Sequence, residues 1–372
     1  MGCMKKSIPE GTDGHPAIYK ILVINPGSTS TKIAVYDNDV LSFDEVIRYR
    51  AEELNMFGSV MDQYKKRIED IFEILARRGC LVSEFTAVIG RGGLLKPVEG
   101  GVYGVNDKMI ADLIGTGKIP HACNLAAPMA LEIAGIIGVP AFIADPPVVD
   151  EFEEIARLSG LPEISRTVIF HALNHKAVAM RAAKVIGIRY EDASFIVCHL
   201  GSGTTVGAHR NGRVIDVNNA LDGEGPFTPE RCGGLPLLGL VEMCYSGLYS
   251  LEDIKKKLVG KGGLMAYLGT NSAVEVEKRI EAGDEYAHLI YEAMAYQTAK
   301  EIGAQATVLN GDVDAIIITG GVAHSKMLIE WIKARVGFIA PVIVYPGEDE
   351  MQALADACLR ALRHEEEVKV YM

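Results

Sequence analysis

The alternation of apolar and polar positions divides this chain into strands, small-residue turns and amphipathic helices, in an order that occurs twice. Ile21 to Ile24 is an apolar run, Asn25 to Lys32 (NPGSTSTK) is small and polar, and Ile33 to Tyr36 is apolar again. Two short apolar runs around such a turn predict a β-hairpin, with Gly27 able to take a positive φ in it. The unit returns about 175 residues later as Phe195 to Leu200, the turn Gly201-Ser202-Gly203-Thr204-Thr205, and Val206 to His209. Asn211-Gly212 then predicts a further hairpin turn.

Between and after these hairpins the period changes. Leu41 to Arg50 continues the first sheet, and Ser59 to Arg78 has apolar residues at helical spacing with Gly79 as its stop. Ala87 to Gly90 is a short strand running into Arg91-Gly92-Gly93; Asp107 to Thr116 and Ala126 to Ile137 are helical; Ala141 to Ala144 is a strand ended by Asp145-Pro146-Pro147. The outline is βββαβαβα. A crossover at Pro162 to Phe170 leads to a helix over Asn174 to Gly187. After the second hairpin come helices at Leu237 to Ser246 and Leu251 to Leu258, and a glycine-interrupted connection at Gly260 to Gly269. Ser272 to Leu309 is helical with a break near Gly283; Ala315 to Thr319 and Val342 to Tyr345 are strands; Ser325 to Val336 and Met351 to Leu362 are helices.

Composition narrows the class. With 372 residues, 49% apolar content and a mean hydropathy of +0.16, the chain has enough apolar material for two cores. A net charge of −12 without a basic cluster argues against nucleic acid and against an anionic membrane surface as partners. The longest apolar region, Met129 to Val149, contains Glu132, Pro140 and Asp145 and does not read as a membrane span. Seven cysteines, odd in number, scattered and without CxxC, predict reduced thiols and a cytoplasmic protein. Residues 1–17 read as a flexible lead; Met1-Gly2-Cys3 has an acylation look, but position six is lysine.

The turns carry the chemistry. Backbone N–H groups and hydroxyls at Gly27, Ser28, Thr29 and Ser30 are phosphate donors, and Lys32 adds a positive charge. The Gly-Lys-Ser/Thr ending of a Walker A loop is absent, and a strand follows where a helix would stand. Alone, this stretch reads first as a Ser/Thr-rich hairpin turn. Its recurrence at Gly201 to Thr204, with a late Thr319-Gly320-Gly321, points to a three-part nucleotide site drawn from both halves.

Five motifs in one order then carry a resemblance: INPGSTSTK (Ile24 to Lys32), FHALNHKAVA (Phe170 to Ala179), HLGSGTTVGAHRNGRVID (His199 to Asp216), ERCGGLP (Glu230 to Pro236) and ITGGVAHS (Ile318 to Ser325). Over Tyr19 to Arg363 the chain resembles the acetate/butyrate kinase family of the sugar kinase, Hsp70 and actin superfamily, the butyrate kinases most closely. The resemblance implies an α/β fold of two duplicated βββαβαβα lobes of the actin-like ATPase (ribonuclease H-like) type. It divides the chain into an acyl-side lobe at 18–165, completed by 348–372, and a nucleotide-side lobe at 166–347. It implies reversible phosphoryl transfer from ATP to a short-chain carboxylate, with ADP and magnesium, in a homodimer or higher homo-oligomer.

Residue by residue, the resemblance makes Arg91 and Arg231 the arginines that hold the acyl carboxylate and the phosphoryl group, and His171 the phosphoryl hydrogen-bond partner. Asp145 would bind or orient magnesium or the phosphoryl group, Asn25 would face the terminal phosphate or its magnesium, and Glu350 would support magnesium through water. His199, Gly201, Ser202, Gly203 and Thr204 would take the β-phosphate side, and Gly320, Gly321 and Val322 would lie along adenosine. Each has a plainer role: Asp145 capping its turn, Glu350 at a helix N-terminus, His171 as a core histidine, the arginines as ion-pair residues. His175 reads as structural, and His121 is out of register and unassigned. Where acetate kinases carry two valines after the first arginine, this chain has Gly92-Gly93. That predicts a roomier acyl pocket favouring butyrate or a branched acid, or else a loop bend. Rival readings are an acetate or propionate kinase, a sugar kinase, and a non-catalytic nucleotide-gated protein of the actin and Hsp70 kind.

Overall fold

The strands, most of them on the apolar runs, are β1 (Lys20–Pro26), β2 (Ser30–Asp37), β3 (Val40–Arg48), β4 (Ala87–Arg91), β5 (Val102–Gly104), β6 (Ala141–Ala144), β7 (Ser194–Leu200), β8 (Thr204–Arg210), β9 (Arg213–Val217), β10 (Ala315–Gly320), β11 (Val342–Pro346) and β12 (Lys369–Val370). The computed structural model describes residues 18–115, 122–219 and 221–372; the lead 1–17, Thr116 and His121 lie outside them. The chain separates into two units, Met1–Val149 with Asp349–Met372, and Asp150–Glu348.

The first unit has the sheet order β12-β5-β6-β4-β1-β2-β3, and the second β11-β10-β7-β8-β9. The shared part is one plan. An antiparallel meander, β1-β2-β3 or β7-β8-β9, is extended from its first strand by two parallel strands, β4 and β6 or β10 and β11. Parallel strands need crossovers, and the helices that supply them cover the sheet faces. In the first unit Leu22, Ile24, Ile33 and Val35 pack with Ile68, Ile71 and Leu75 of helix Tyr64–Arg77 and with Met129 and Ile133 of helix Ala126–Ile137. In the second, one face of β7 and β10 (Ile196, Cys198, Ile316, Ile318) packs on helices Glu285–Val308 and Lys326–Val336. The other face (Phe195, Val197, Ile317) packs on helix Ala172–Ile186. Burial on both faces explains why these strands read as unbroken apolar runs rather than alternations.

Four expectations change. β5 and β12 were not visible in the pattern, because three and two residues are too few to show a period. The connection at Gly260 to Gly269 contains a helix, Gly263–Leu268. Helix formation near Ser59 begins as a 3₁₀ turn at Met61–Gln63 before Tyr64–Arg77. Gly27 does not use a positive φ; its N–H donates to the Ser30 carbonyl at 2.7 Å and closes the turn that way. Among the described residues no helix is long and apolar enough to cross a membrane.

Candidate active site

In the first unit the strand ends carry the predicted polar residues. β1 lies between β2 and β4, so Asn25 at its end stands beside Lys32 of β2, its antiparallel partner, and near Arg91 at the end of β4. The C-terminal helix Glu350–Leu362 belongs to this unit and contacts β1 and β4. Its first residue joins the others: Asn25 Nδ2 donates to Glu350 Oε2 at 2.7 Å, and Arg91 Nη1 lies 3.0 Å from Oε1 and 3.2 Å from Oε2. Two residues from sequence-distant motifs therefore meet on the carboxylate of a third.

The turn between β1 and β2 is held from behind by a residue that sequence reading missed. Arg67, 1% exposed, donates from Nη1 to the carbonyls of Gly27 (2.9 Å) and Ser30 (3.0 Å) and to Thr31 Oγ1 (3.0 Å), and from Nη2 to the Ser28 carbonyl (3.3 Å). Gln63 Oε1 takes another Nη2 hydrogen at 2.8 Å, and the guanidinium lies over the Tyr49 ring. Tyr49 N–H donates to the Thr29 carbonyl. With the carbonyls of residues 27 to 30 engaged, the exposed side of Ser28 and Thr29 presents N–H and hydroxyl groups, which suits an anion. The available signal was a charge on the apolar stripe of its helix, beside Ile68 and Ile71.

Asp145, 5% exposed, follows β6 with a φ of +37°, rare for a residue with a side chain. Gly101 N–H donates to its Oδ1 at 2.7 Å, and its own N–H donates to the Gly101 carbonyl. β4 and β6 pair with Arg91 opposite Ala144, so Asp145 is one residue beyond the strand neighbour of Arg91. The pocket expectation at Gly92 and Gly93 is corrected. A Cβ on Gly92 would lie 2.5 Å from Pro146 Cβ, and one on Gly93 would lie 2.8 Å from Asn124 Oδ1 and Leu113 Cδ2. The volume that side chains would take there is filled by neighbours, so these glycines permit close packing and open no space.

In the second unit the corresponding turn lies between β7 and β8. Ser202 is exposed, while Gly201, Gly203 and Thr204 are buried, and Gly201 N–H donates to the Gly203 carbonyl. Arg231 reaches this turn: a Cβ on Gly203 would sit 2.1 Å from its Nη1. With Arg231 in this place, position 203 has no room for a side chain. Thr228 positions that arginine, accepting from the Arg231 backbone N–H at 3.0 Å and donating to the Ser202 carbonyl at 2.5 Å. β10 pairs with β7 with Thr319 opposite His199. Gly320, at φ +93°, packs so closely that a Cβ would lie 2.3 Å from the Leu200 carbonyl oxygen. Gly321 is exposed with open space above it, and Val322 is half-buried beside it. The sheet therefore brings Gly201 to Thr204 and Gly320 to Val322 together.

His199 holds in β7 the position that Asn25 holds in β1, one residue before the last of the strand. It is 1% exposed; its Nδ1 lies 2.7 Å from Asn174 Oδ1, and its Nε2 lies 3.1 Å from Glu348 Oε1 without hydrogen-bond geometry. Its ring stacks on His171, centroids 3.8 Å apart. His171, at the N-terminal end of helix Ala172–Ile186, lies 2.9 Å from Thr205 Oγ1 through Nδ1. His175 is wholly buried and meets the same oxygen at 2.9 Å through Nε2. Thr205, Asn174 and Glu348 carried no sequence signal of these contacts.

Two cofactor classes can be tested against these atoms. A nucleotide phosphate fits the second turn: a buried His199 nitrogen lacks a hydrogen bond under Gly201, and Gly203 and Gly320 leave room only for backbone. For a metal, the described residues contain no group of three or more His, Cys, Asp or Glu able to hold an ion by themselves. Magnesium keeps waters and substrate phosphates as ligands beside one or two carboxylates. Asp145 after β6 and Asn25 at the end of β1 carry oxygens of that kind, and Glu350, engaged by Asn25 and Arg91, could act through water.

Residues 163–338 match the acetokinase family, a segment that includes His171, His199, the Gly201 to Thr204 turn, Arg231 and Gly320 to Val322. The acetate kinase of Porphyromonas gingivalis superposes with a TM-score of 0.75 at 20% identity, over 91% of this chain and 99% of that one. A propionate kinase from Francisella tularensis gives 0.72 at 19% identity (91% and 98%). The acetate kinase of Entamoeba histolytica gives 0.72 at 16% identity (90% and 98%). Residues 163–338 thus match the acetokinase family, and the chain has the duplicated α/β fold of those acetate and propionate kinases.

Proposed function

We propose that this protein transfers the terminal phosphoryl group of ATP, reversibly, to a short-chain carboxylate, giving an acyl phosphate and ADP, with butyrate or a branched short acid preferred. The observation that carries the reading is that both units build the same hairpin, with motif residues converging beside each turn: Asn25, Arg91 and Glu350 in one, His199, His171 and Arg231 in the other. The acetokinase match over 163–338 supports the reaction class. The preference for butyrate rests on the motif resemblance and not on space at Gly92-Gly93.

A carboxylic acid is already ionised at neutral pH, with a pKa of about 4 to 5. Its oxygen attacks the terminal phosphorus, the bond to the bridging oxygen breaks, and ADP leaves with that electron pair; no proton need be removed. Positioning and charge stabilisation supply most of such catalysis. Arg91 and Arg231 would hold the acid and the phosphoryl oxygens, with forked geometry suited to both. Arg91 reaches Glu350 through Nη1. Ser28, Thr29 and Ser30 would donate to the terminal phosphate, Lys32 adding charge, and Gly201 to Thr204 would serve the β-phosphate. Gly320, Gly321 and Val322 would lie along adenosine. Magnesium, held by Asn25 and Asp145 and through water by Glu350, would neutralise charge on the phosphate oxygens.

Self-association is part of the proposal. Helix Leu237–Tyr245 has no buried residue, and Leu237, Leu238, Val241, Tyr245, Leu248 and Leu251 stand exposed together. Such a run of exposed apolar side chains fits a second copy of the chain. The substrate reading is tested by kcat/KM for ADP release with acetate, propionate, butyrate, isobutyrate and a sugar. A maximum at butyrate or isobutyrate supports the full proposal. A maximum at acetate or propionate keeps the reaction and rejects the acid. Release only with the sugar, or with none, rejects the carboxylate kinase.

A further inference from the structure

His171 stands at one end of a hydrogen-bonded file that runs into the second unit. From His171 Nδ1 the file passes to Thr205 Oγ1 (2.9 Å), from there to His175 Nε2 (2.9 Å), from His175 Nδ1 to His209 Nε2 (3.3 Å), and from His209 Nδ1 to Tyr190 Oη (2.8 Å). Thr205, His175 and His209 are wholly buried. A neutral imidazole has one N–H and one lone pair, and each hydroxyl has one hydrogen. In such a series the choice of donor at one end sets every group up to the other.

We infer that this file fixes neutral His171 as the Nε2–H tautomer, so that it offers the reacting phosphoryl oxygen a donor and not a lone pair; the use of that donor rests on the kinase reading above. Tyr190 O–H donates to His209 Nδ1. His209 Nε2–H donates to His175 Nδ1, His175 Nε2–H to Thr205 Oγ1, and the Thr205 hydroxyl to His171 Nδ1. The one ring proton of His171 is left on Nε2, on the side away from the file.

Two observations set this direction. A phenol, with a pKa of about 10, is a far stronger donor than a neutral imidazole N–H, so Tyr190 is the natural start. The Lys176 ammonium, paired with Glu151 at 3.0 Å and buried, lies 6.0 Å from the Tyr190 ring centre. Its charge favours hydrogens that point away from it, toward His171. Burial, joined by Lys176, pushes His209 down to about 3, and burial keeps His175 well below its ordinary value, so both are neutral links. His199, stacked on the His171 ring, lies 3.1 Å from Glu348.

The test is imidazole ¹⁵N NMR of histidine-labelled full-length protein, with His171→Gln to assign the His171 signals. The expected result is an Nε2–H pattern for His171 in the native protein. Tyr190→Phe removes the starting donor while keeping the ring, and should bring a detectable Nδ1–H population to His171 with at least a twofold fall in kcat and an unchanged KM for ATP. Thr205→Val should uncouple His171 in the same way, and Thr205→Ser should restore the native pattern. An Nδ1–H pattern in the native protein overturns the inference. So does a His171 pattern untouched by both Tyr190→Phe and Thr205→Val. The tautomer is read without turnover, so an inactive protein with the expected spectra rejects the kinase reading and leaves the file standing.

Discussion

At the scale of single residues, the site depends on side chains that do no chemistry. Arg67 holds three carbonyls of the first turn, and hydrogen bonds to a charged group are worth about 1.5 to 3 kcal/mol each. Arg67→Met should lower stability by about 3 kcal/mol or more, seen in urea unfolding, and any folded fraction should show a raised KM for ATP. Asp145→Asn separates charge from shape. Asparagine tolerates positive φ, so stability should change little while kcat falls about 100-fold. An unchanged kcat would return Asp145 to a turn-capping role. Gly203→Ala places a methyl group where Arg231 Nη1 lies. The arginine, being a side chain, can give way, so the melting temperature should hold while activity falls at least tenfold.

At the scale of elements, the hairpins, long helices and parallel strands were legible, because each spans enough residues to display its period. Helix Ala126–Ile137 and helix Leu251–Leu258 have the limits their patterns implied. β5 and β12 were not legible, being held by pairing with β6 and with each other rather than by their own sequence. Gly92-Gly93 shows a second limit: a missing side chain reads as space, whereas here Pro146, Asn124 and Leu113 have moved into it. The file on helix Ala172–Ile186 and β8 has its own signature. A folded-state pKa of about 3 for His209, against about 6.5 unfolded, means the unfolded chain binds more protons below pH 6.5. The stabilisation is complete above pH 6.5 and is lost as pH falls toward 3. His175, shifted the same way, adds to it. His209 costs up to about 1.4 kcal/mol per pH unit in that window. Unfolding free energies from pH 7 to 4 should show this slope, and His209→Gln should make it shallower.

At the scale of the whole molecule, duplication is the organising fact. The meander extended by two parallel strands recurs with no matching sequence beyond its turns, so it was readable only as order. Asn25 and His199 occupy the same place in the two copies, each near a glutamate, Glu350 or Glu348, from the segment preceding or opening the last helix. Assigning Glu350 to one copy and Glu348 to the other needed coordinates, since the acids are two residues apart. The exposed face of helix Leu237–Tyr245 carries the prediction about assembly. Leu238→Glu with Val241→Glu should shift sedimentation toward the monomer without loss of helix content. A native protein that sediments as a monomer would remove that face from the account.

The central claim is the transfer of a phosphoryl group to a carboxylate. The most direct measurement is hydroxylamine trapping of acyl phosphate formed from butyrate with ATP and magnesium, beside Arg91→Ala and Arg231→Ala. The account predicts butyryl hydroxamate in step with ADP from the native protein, and at least a hundredfold less from either variant. No hydroxamate from folded native protein with butyrate, isobutyrate, propionate or acetate would contradict it.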